Sequence, residues 1–525
     1  MGLINPSIVL TAGIVCILLY AILGQPKLRR NGVPLRRPPG TLPLAGNGIN
    51  FLRDRQKLFD WFTKCGQLYG YETLQISVPS LPPGVIISDP RNLDYVFKNE
   101  GIFAKGEFFQ GRSRDLFGQH PGRISIEVFA HTTTGNGIIN VDGDLWRIQR
   151  KAGLNFLNTS NLKVLIEVAL PEYLSRSLAF LETKADKGIV DLQAVFHEIT
   201  TQLMGKMAYN MEMHAEDDFG LAFDYASGAT AERFQNPLWF VSELLTGARL
   251  RKSILAVKSF GRSIVSNATK DRKSRATNAK RISEYASKDR MGQISGSLVQ
   301  SLLNSIGDEQ LVADAALNYL SAGRDTTAQA LTWTFYLLMR HPEVVAKVRK
   351  EIDQVTKGRQ DTLEKAISEQ GSPTSMPYIF AVFYEALRIY PPIPFEIKQA
   401  VQATTLPDGT FLPQNAVIVW CTWAMNRSRL TWGPDADEFR PERWLIGGKV
   451  ANKSTSEFPV FNGGPRTCLG KKMAEVIAVQ VIATVAGHFD CVRVDDSMRV
   501  SKSSLTLPMK DGLPCFVRRR VTDPR

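Results

Sequence analysis

The most chemically loaded stretch of this 525-residue chain is Phe461-Asn-Gly-Gly-Pro-Arg-Thr-Cys-Leu-Gly470. Cys468 sits in a Gly- and Pro-rich loop just ahead of a helix-forming segment, Lys472 to His488, rich in Ala, Val and Ile. Free backbone N–H groups and the positive end of a helix stabilise a thiolate in such a place. Arg466 adds positive charge and can grip an anionic group with its planar fork. Gly470 lets a flat ligand come close to the backbone. Taken alone, a cysteine of this kind is more often a buried, inert thiol. Cys16, Cys65, Cys421, Cys491 and Cys515 are scattered without a CxxC pair, which excludes a disulfide scaffold. The six histidines form no HExxH, so a zinc hydrolase has no support. Glu385 and Arg388, three apart, share a helix face; read alone they are a surface pair of little worth.

Taken together, the fixed positions of the loop read FxxGxRxCxG. This resembles the haem-binding signature of the cytochrome P-450 haem-thiolate monooxygenases. Ala322-Gly-Arg-Asp-Thr-Thr327 is similar to that family's central-helix motif. Glu385 and Arg388 match its ExxR pair, Pro441-Glu-Arg-Trp444 its PER(F/W) segment, and Trp146 with Arg150 its WxxxR helix. The likeness runs over essentially the whole chain beyond the first segment and points to the membrane-anchored eukaryotic type. It implies a mainly α fold with a minor β region, preceded by one transmembrane helix. It implies Cys468 as the axial ligand of haem iron, with Phe461 and Gly470 beside the cofactor. Trp146, Arg150 and Arg466 become the candidates for the haem propionates. Lys398 stands where many members carry arginine, and lysine lacks the planar fork. Arg443 would join Glu385 and Arg388 in a buried triad that fixes the thiolate loop. Asp325 and Thr326 become the catalytic proton-delivery pair. Thr326 read by itself could instead bond back to its own helix. Gly323 would allow a local opening of that helix.

The stretches from Gly135 to Lys151, Ala322 to Trp333 and Phe461 to Lys471 resemble the fatty-acid and alkane hydroxylating branch. The implied reaction inserts one oxygen atom of O2 into a C–H bond of a long chain, at or near its end. The implied electron source is NADPH, through a separate flavoprotein reductase; the chain has no Gly-rich nucleotide fingerprint of its own. By family position, substrate contacts fall in the 103–133 loop and at Leu317, Phe395 and Leu505. Alternatives are a polyketide or other secondary metabolite as substrate, a haem-thiolate isomerase or dehydratase, and a haem carrier without turnover. The intact Asp325-Thr326 pair weighs against the last two.

These residues need elements to position them. Apolar residues at helical spacing predict a helix over Asp308 to Arg340, stopping at His341-Pro342. Pro377 suits a first helical position in a segment running to Tyr390. Gly84 to Ser88 and Ala416 to Trp420 read as short strands. Ser7 to Gly24 carries no charge and, as a helix, spans ~27 Å, enough for a bilayer core. Basic residues lie just beyond it (Lys27, Arg29, Arg30, Arg36, Arg37), which places the chain after Gly24 in the cytosol and residues 1–6 in the lumen. Expected divisions are therefore 1–6 lumenal, 7–24 anchor, 25–47 basic and Pro-rich linker, and 48–525 one large haem domain in the cytosol on the endoplasmic reticulum membrane. At 44% hydrophobic and 22% charged, the composition is that of a packed globular protein. Lys and Arg number 64 against 51 Asp and Glu, a net +13 that calls for acidic partners. No nucleic-acid motif accompanies it, so membrane and reductase are the expected ones. The basic run between Arg249 and Arg290 reads as a solvated helix face.

Overall fold

A computed structural model describes residues 27–520, apart from 44, 79–80, 118–135, 278–295, 357–366 and 368–371, together with Gly13. The expected anchor, the lumenal residues and residues 118–133 of the expected substrate loop therefore lie outside the described residues, Gly13 excepted. Among the described residues no helix is long and apolar enough to cross a membrane.

The protein is mainly helical with small sheets. In chain order the longer helices are α1 (Arg55–Leu68), α2 (Pro90–Lys98), α3 (Gly106–Phe117), α4 (Gly143–Phe156), α5 (Leu170–Lys184), α6 (Leu192–Tyr209) and α7 (Asp218–Gln235). Then come α8 (Trp239–Thr246), α9 (Ala248–Thr277), α10 (Ser297–Ile306), α11 (Glu309–Leu338), α12 (Pro342–Thr356), α13 (Pro377–Ile389) and α14 (Lys471–His488). The main strands are β1 (Leu74–Ile76), β2 (Gly84–Ile86), β3 (Phe103–Ala104), β4 (Ile189–Asp191), β5 (Phe395–Ala400), β6 (Val417–Cys421), β7 (Phe489–Arg493) and β8 (Pro514–Arg519).

Local chemistry sets the boundaries of the central elements. Asp308 caps α11, accepting the Gln310 and Leu311 amides at 2.8 and 2.9 Å. That helix stops just before His341-Pro342. Pro377 opens α13, which ends ahead of Pro391-Pro392. The expected helices and strands are present, shifted at their ends by two residues at most. The larger sheet has the order β1-β2-β6-β5-β3, with β2 and β6 parallel and the other pairs antiparallel. A second sheet has the order β7-β8-β4.

The core gathers around α11. Trp333 stacks on Tyr390 at 4.0 Å between centroids and donates its indole N–H to the Leu507 carbonyl at 2.8 Å. Phe335 packs on Phe196 of α6 at 5.0 Å. Lys258 of α9 and Asp314 of α11 form a buried ion pair at 2.8 Å, each side chain 1% exposed. The basic run on α9 is otherwise solvated as expected: Arg251, Lys252, Arg272 and Lys273 are exposed, while Lys280 and Arg281 lie outside the described residues. No motif in the sequence announces the character of α8. This helix buries none of its residues, and Leu238, Phe240, Leu244 and Leu245 beside or on it are exposed.

Candidate functional site

The Cys468 loop is shaped by contact with α2. Gly464 has φ +59°, and a Cβ on it would lie 2.1 Å from the Phe97 carbonyl oxygen. It is therefore closed to a side chain by both conformation and space. A Cβ on Gly463 would meet the Phe97 ring, so space alone excludes one there. Short 3-10 turns at Pro459–Phe461 and Gly464–Arg466 then bring Cys468 back so that its amide donates to the Phe461 carbonyl at 2.8 Å. The Thr467 hydroxyl closes the second turn on the Gly464 carbonyl at 2.8 Å. Helix α14 starts three residues after the cysteine. The Cys468 thiol is accessible, although protein packed around it raises its pKa. Against that push, hydrogen bonds at Gly470 and Lys471 and the charge of Arg150 favour the thiolate. A Cβ on Gly470 would meet only the Cys468 sulfur, at 3.9 Å, which leaves the space beside the thiol open.

A buried charged network lies behind this loop. Glu385 and Arg388 of α13 are fully buried and doubly bonded, at 2.8 and 2.9 Å. Arg443 adds a third bond to Glu385 at 2.8 Å and holds Asp435 at 3.2 Å. The expected triad is thus assembled, and it is larger than expected. The Arg440 amide and the Trp444 indole N–H also donate to Glu385, at 3.0 and 2.9 Å. Arg388 further donates to the carbonyls of Asn426, Ala436 and Glu438. Trp444 carries the network to the loop by packing on Phe458 at 4.8 Å. Tyr384 packs on Phe458 and Phe461 at 5.4 and 6.1 Å.

Cations gather on the other side. Arg466 donates to Glu100 and Asp142 at 2.7 Å each and to the Val141 carbonyl at 3.0 Å, and lies 4.1 Å from the Trp146 ring centroid. Arg150 donates to the Thr467 carbonyl at 3.0 Å, and burial lowers its pKa. Lys398, in the middle of β5, is 4% exposed and its side chain has no hydrogen bond among the described residues. Burial, with Lys105 and Arg466 nearby, pushes its pKa down to about 7. Lys105 is itself paired with Glu396 at 3.2 Å. A buried ammonium without a partner is costly, and an anion brought to it would restore its charge. The accessible thiol, the open space at Gly470 and the unpaired Lys398 therefore fit a haem carrying two carboxylates. Trp146, Arg150, Lys398 and Arg466 are the side chains that could hold them.

On α11 the residues divide between two sides. Asp325 is buried and bonded to Arg324 at 2.8 Å; Arg324 also reaches Asp224, which is 38% exposed, at 3.1 Å. Burial pushes the Asp325 carboxyl up to about 6 against the pull of Arg324. A polar cleft lined by His197, Asp224, Arg324, Asp325, Gln329 and Lys502 adjoins it. The Thr326 hydroxyl donates to the Ala322 carbonyl at 2.7 Å, the backbone bond that threonine makes by default. Gly323 has a different role from the one expected. The helix runs unbroken through it, and a Cβ there would lie 2.5 Å from Met204 Sδ. Its missing side chain serves the close packing of α11 on α6. Leu317 also departs from expectation: it is 2% exposed and faces Gly261 of α9. Phe395 and Leu505 do line an apolar cavity, with Phe51, Leu58, Phe62 and Ile76 among its other walls.

Known proteins resemble this chain over most of its length. The family model described as Cytochrome P450 matches residues 37–516. Cytochrome P450 monooxygenase cyp1 of Mycosarcoma maydis is 32% identical over 509 residues, 91% of this chain and 75% of the relative. Cytochrome P450 86B1 of Arabidopsis thaliana is 30% identical over 515 residues, 94% and 87% of the two chains. Cytochrome P450 94C1 of the same plant is 28% identical over 490 residues, 89% and 90%.

Proposed function

This chain belongs to the cytochrome P450 family, haem-thiolate monooxygenases supplied with electrons from NADPH through a reductase partner, and we propose that it hydroxylates a long-chain apolar substrate. The substrate is a fatty acid or alkane, oxidised at or near the end of the chain. The observation that carries this reading is Cys468, an accessible thiol whose sulfur is held by hydrogen bonds at Gly470 and Lys471 beside the charge of Arg150.

Cys468 would ligate the iron, and Trp146, Arg150, Lys398 and Arg466 would hold the propionates. Bound there, the haem supplies oxygen activation, which a thiolate ligand favours. The chain's own residues bring the substrate and the protons. The aromatic and aliphatic walls around Phe395 and Leu505 exclude water and orient the chain. Asp325, whose pKa near 6 suits exchange close to neutrality, takes a proton at its carboxylate from the cleft at Asp224. The Thr326 hydroxyl, released from the Ala322 carbonyl, passes that proton on. Glu385, Arg388 and Arg443 keep the thiolate loop in place and take no part in proton transfer.

The protein works at the endoplasmic reticulum membrane, anchored by residues 7–24 with its body in the cytosol. The exposed apolar side chains on and beside α8 support contact with the bilayer.

Two measurements test this reading. Reduced protein under carbon monoxide should give the thiolate-type spectrum, and Cys468→Ala should abolish it; a variant that kept it would remove Cys468 as ligand. Turnover with reductase and NADPH is then run against fatty acids, alkanes and chain-like secondary metabolites. Absence of product from every fatty acid and alkane would overturn the substrate class.

A further inference from the structure

Two guanidinium groups line the apolar cavity, and neither meets a carboxylate among the described residues. Arg55 of α1 donates to the carbonyls of Ser504 and Thr506, while its Nε is buried without a hydrogen-bond partner. Arg112 of α3 donates to the carbonyls of Phe108 and Arg233, at 3.1 Å each, and lies 3.9 Å from the Phe108 ring centroid. Neighbouring carboxylates are committed elsewhere: Asp115 and Glu243 both bond Arg233. Burial pushes Arg55 down to about 9 and Arg112 to about 10.

The fully buried arginines among the described residues differ from these two, which are half-buried. Arg233, Arg324 and Arg388 each hold a carboxylate at 2.8 Å. Arg427, like Arg55 and Arg112, holds no carboxylate at bonding distance and lies 3.8 Å from the Trp423 ring centroid, but it lines no part of this cavity. Placing a cation against apolar walls is costly unless an anion completes it. Here the cavity supplies the apolar walls and the cations, and the anion has to come from outside.

We propose that Arg55 and Arg112 form a carboxylate subsite, so that the substrate is a long-chain acid held by its acid group while its tail lies along Phe51, Leu58, Phe62, Phe395 and Leu505. This narrows the long-chain reading and rests on it. A guanidinium pairs with a carboxylate through parallel charge-assisted bonds. An alkane or alcohol of equal length leaves both guanidiniums unpaired and is discriminated against for that reason.

The test is a spectral titration of the haem-loaded full-length protein with hexadecanoate and with 1-hexadecanol. The wild type should bind the acid at least about tenfold more tightly, the value of one charge-assisted hydrogen bond. In the double variant Arg55→Gln, Arg112→Gln the ratio of the two dissociation constants should fall to about one. Arg112→Lys, which keeps the charge and loses the fork, should narrow the ratio and carries the comparison if the double variant fails to hold haem. Equal binding of acid and alcohol by the wild type overturns the subsite and leaves the long-chain reading standing. So does a ratio unchanged in the variants. If neither chain perturbs the haem of a protein with an intact thiolate spectrum, the long-chain reading falls and the subsite falls with it.

Discussion

Replacing Glu385 by alanine should unfold the thiolate loop before it changes any chemistry. Its carboxylate receives five donors: two from Arg388, one from Arg443, the Arg440 amide and the Trp444 indole. Arg443 keeps Asp435 after the substitution, but Arg388, fully buried, keeps only carbonyl oxygens. The variant therefore leaves one uncompensated buried charge. Removing one partner of a buried pair costs about 3–5 kcal/mol. That is a large share of the ~5–15 kcal/mol that holds a typical domain together. Trp444 loses its indole acceptor at the same time, and its ring packs on Phe458 ahead of the loop. The loss should appear as a lower denaturant midpoint and as a smaller fraction of thiolate-type spectrum after warming, with little dependence on salt because the charges are buried. Glu385→Gln, which keeps the shape but not the charge, should fall between alanine and wild type. A stability change under about 1 kcal/mol for Glu385→Ala, with the spectrum intact, would refute the reasoning.

Substitutions at three positions of α11, one of them paired with a change on α6, probe the central helix. Thr326→Ala should leave haem binding intact and uncouple NADPH use from product, raising peroxide release; unchanged coupling would remove Thr326 from proton delivery. Asp325 ionises near 3.8 when unfolded but near 6 in the fold, so the folded chain binds the extra proton between those values. Stability should therefore fall as pH rises from ~4 to ~6, by up to about 3 kcal/mol, and Asp325→Asn should flatten that slope. An identical pH profile in the variant would contradict the assignment. Gly323→Ala should destabilise by roughly 1–3 kcal/mol through contact with Met204. Met204→Ala should recover part of that loss, and strict additivity of the two changes would argue against direct packing.

What could be read from sequence was what the chain writes locally. The Cys468 loop, the apolar spacing between Asp308 and Arg340 and the prolines at 342 and 377 are contiguous signals, and each element appears within two residues of where they place it. Contacts between distant segments were out of reach. Gly323 sits in a recognisable motif, yet its purpose depends on Met204 of another helix. Leu317 is a cavity residue by family position, yet it meets Gly261 of α9; α11 is buried on most sides, so periodicity does not say which neighbour each leucine meets. The acidic partners of Arg466, Glu100 and Asp142, carry no sequence mark of their own. Trp444 and Asp435 lie in or near the Pro441-to-Trp444 segment, and reading that segment as a donor set would have found the tryptophan. Arg55 and Arg112 were missed because an isolated arginine in a helix looks like a solvated one until its surroundings are known.

The contact between the loop and α2 bears on transplantation. Gly464 is held against a backbone carbonyl, while Gly463 lies over the ring of the same residue, Phe97. The glycines are thus complementary to a helix end that lies far earlier in the chain. Grafted alone into another scaffold, the ten-residue signature would carry its ligand without the surface that bends it. A functional graft has to bring the last turn of α2 as well, and libraries that vary residues 461–470 while leaving Phe97 fixed sample only half of the interface that gives the cysteine its position.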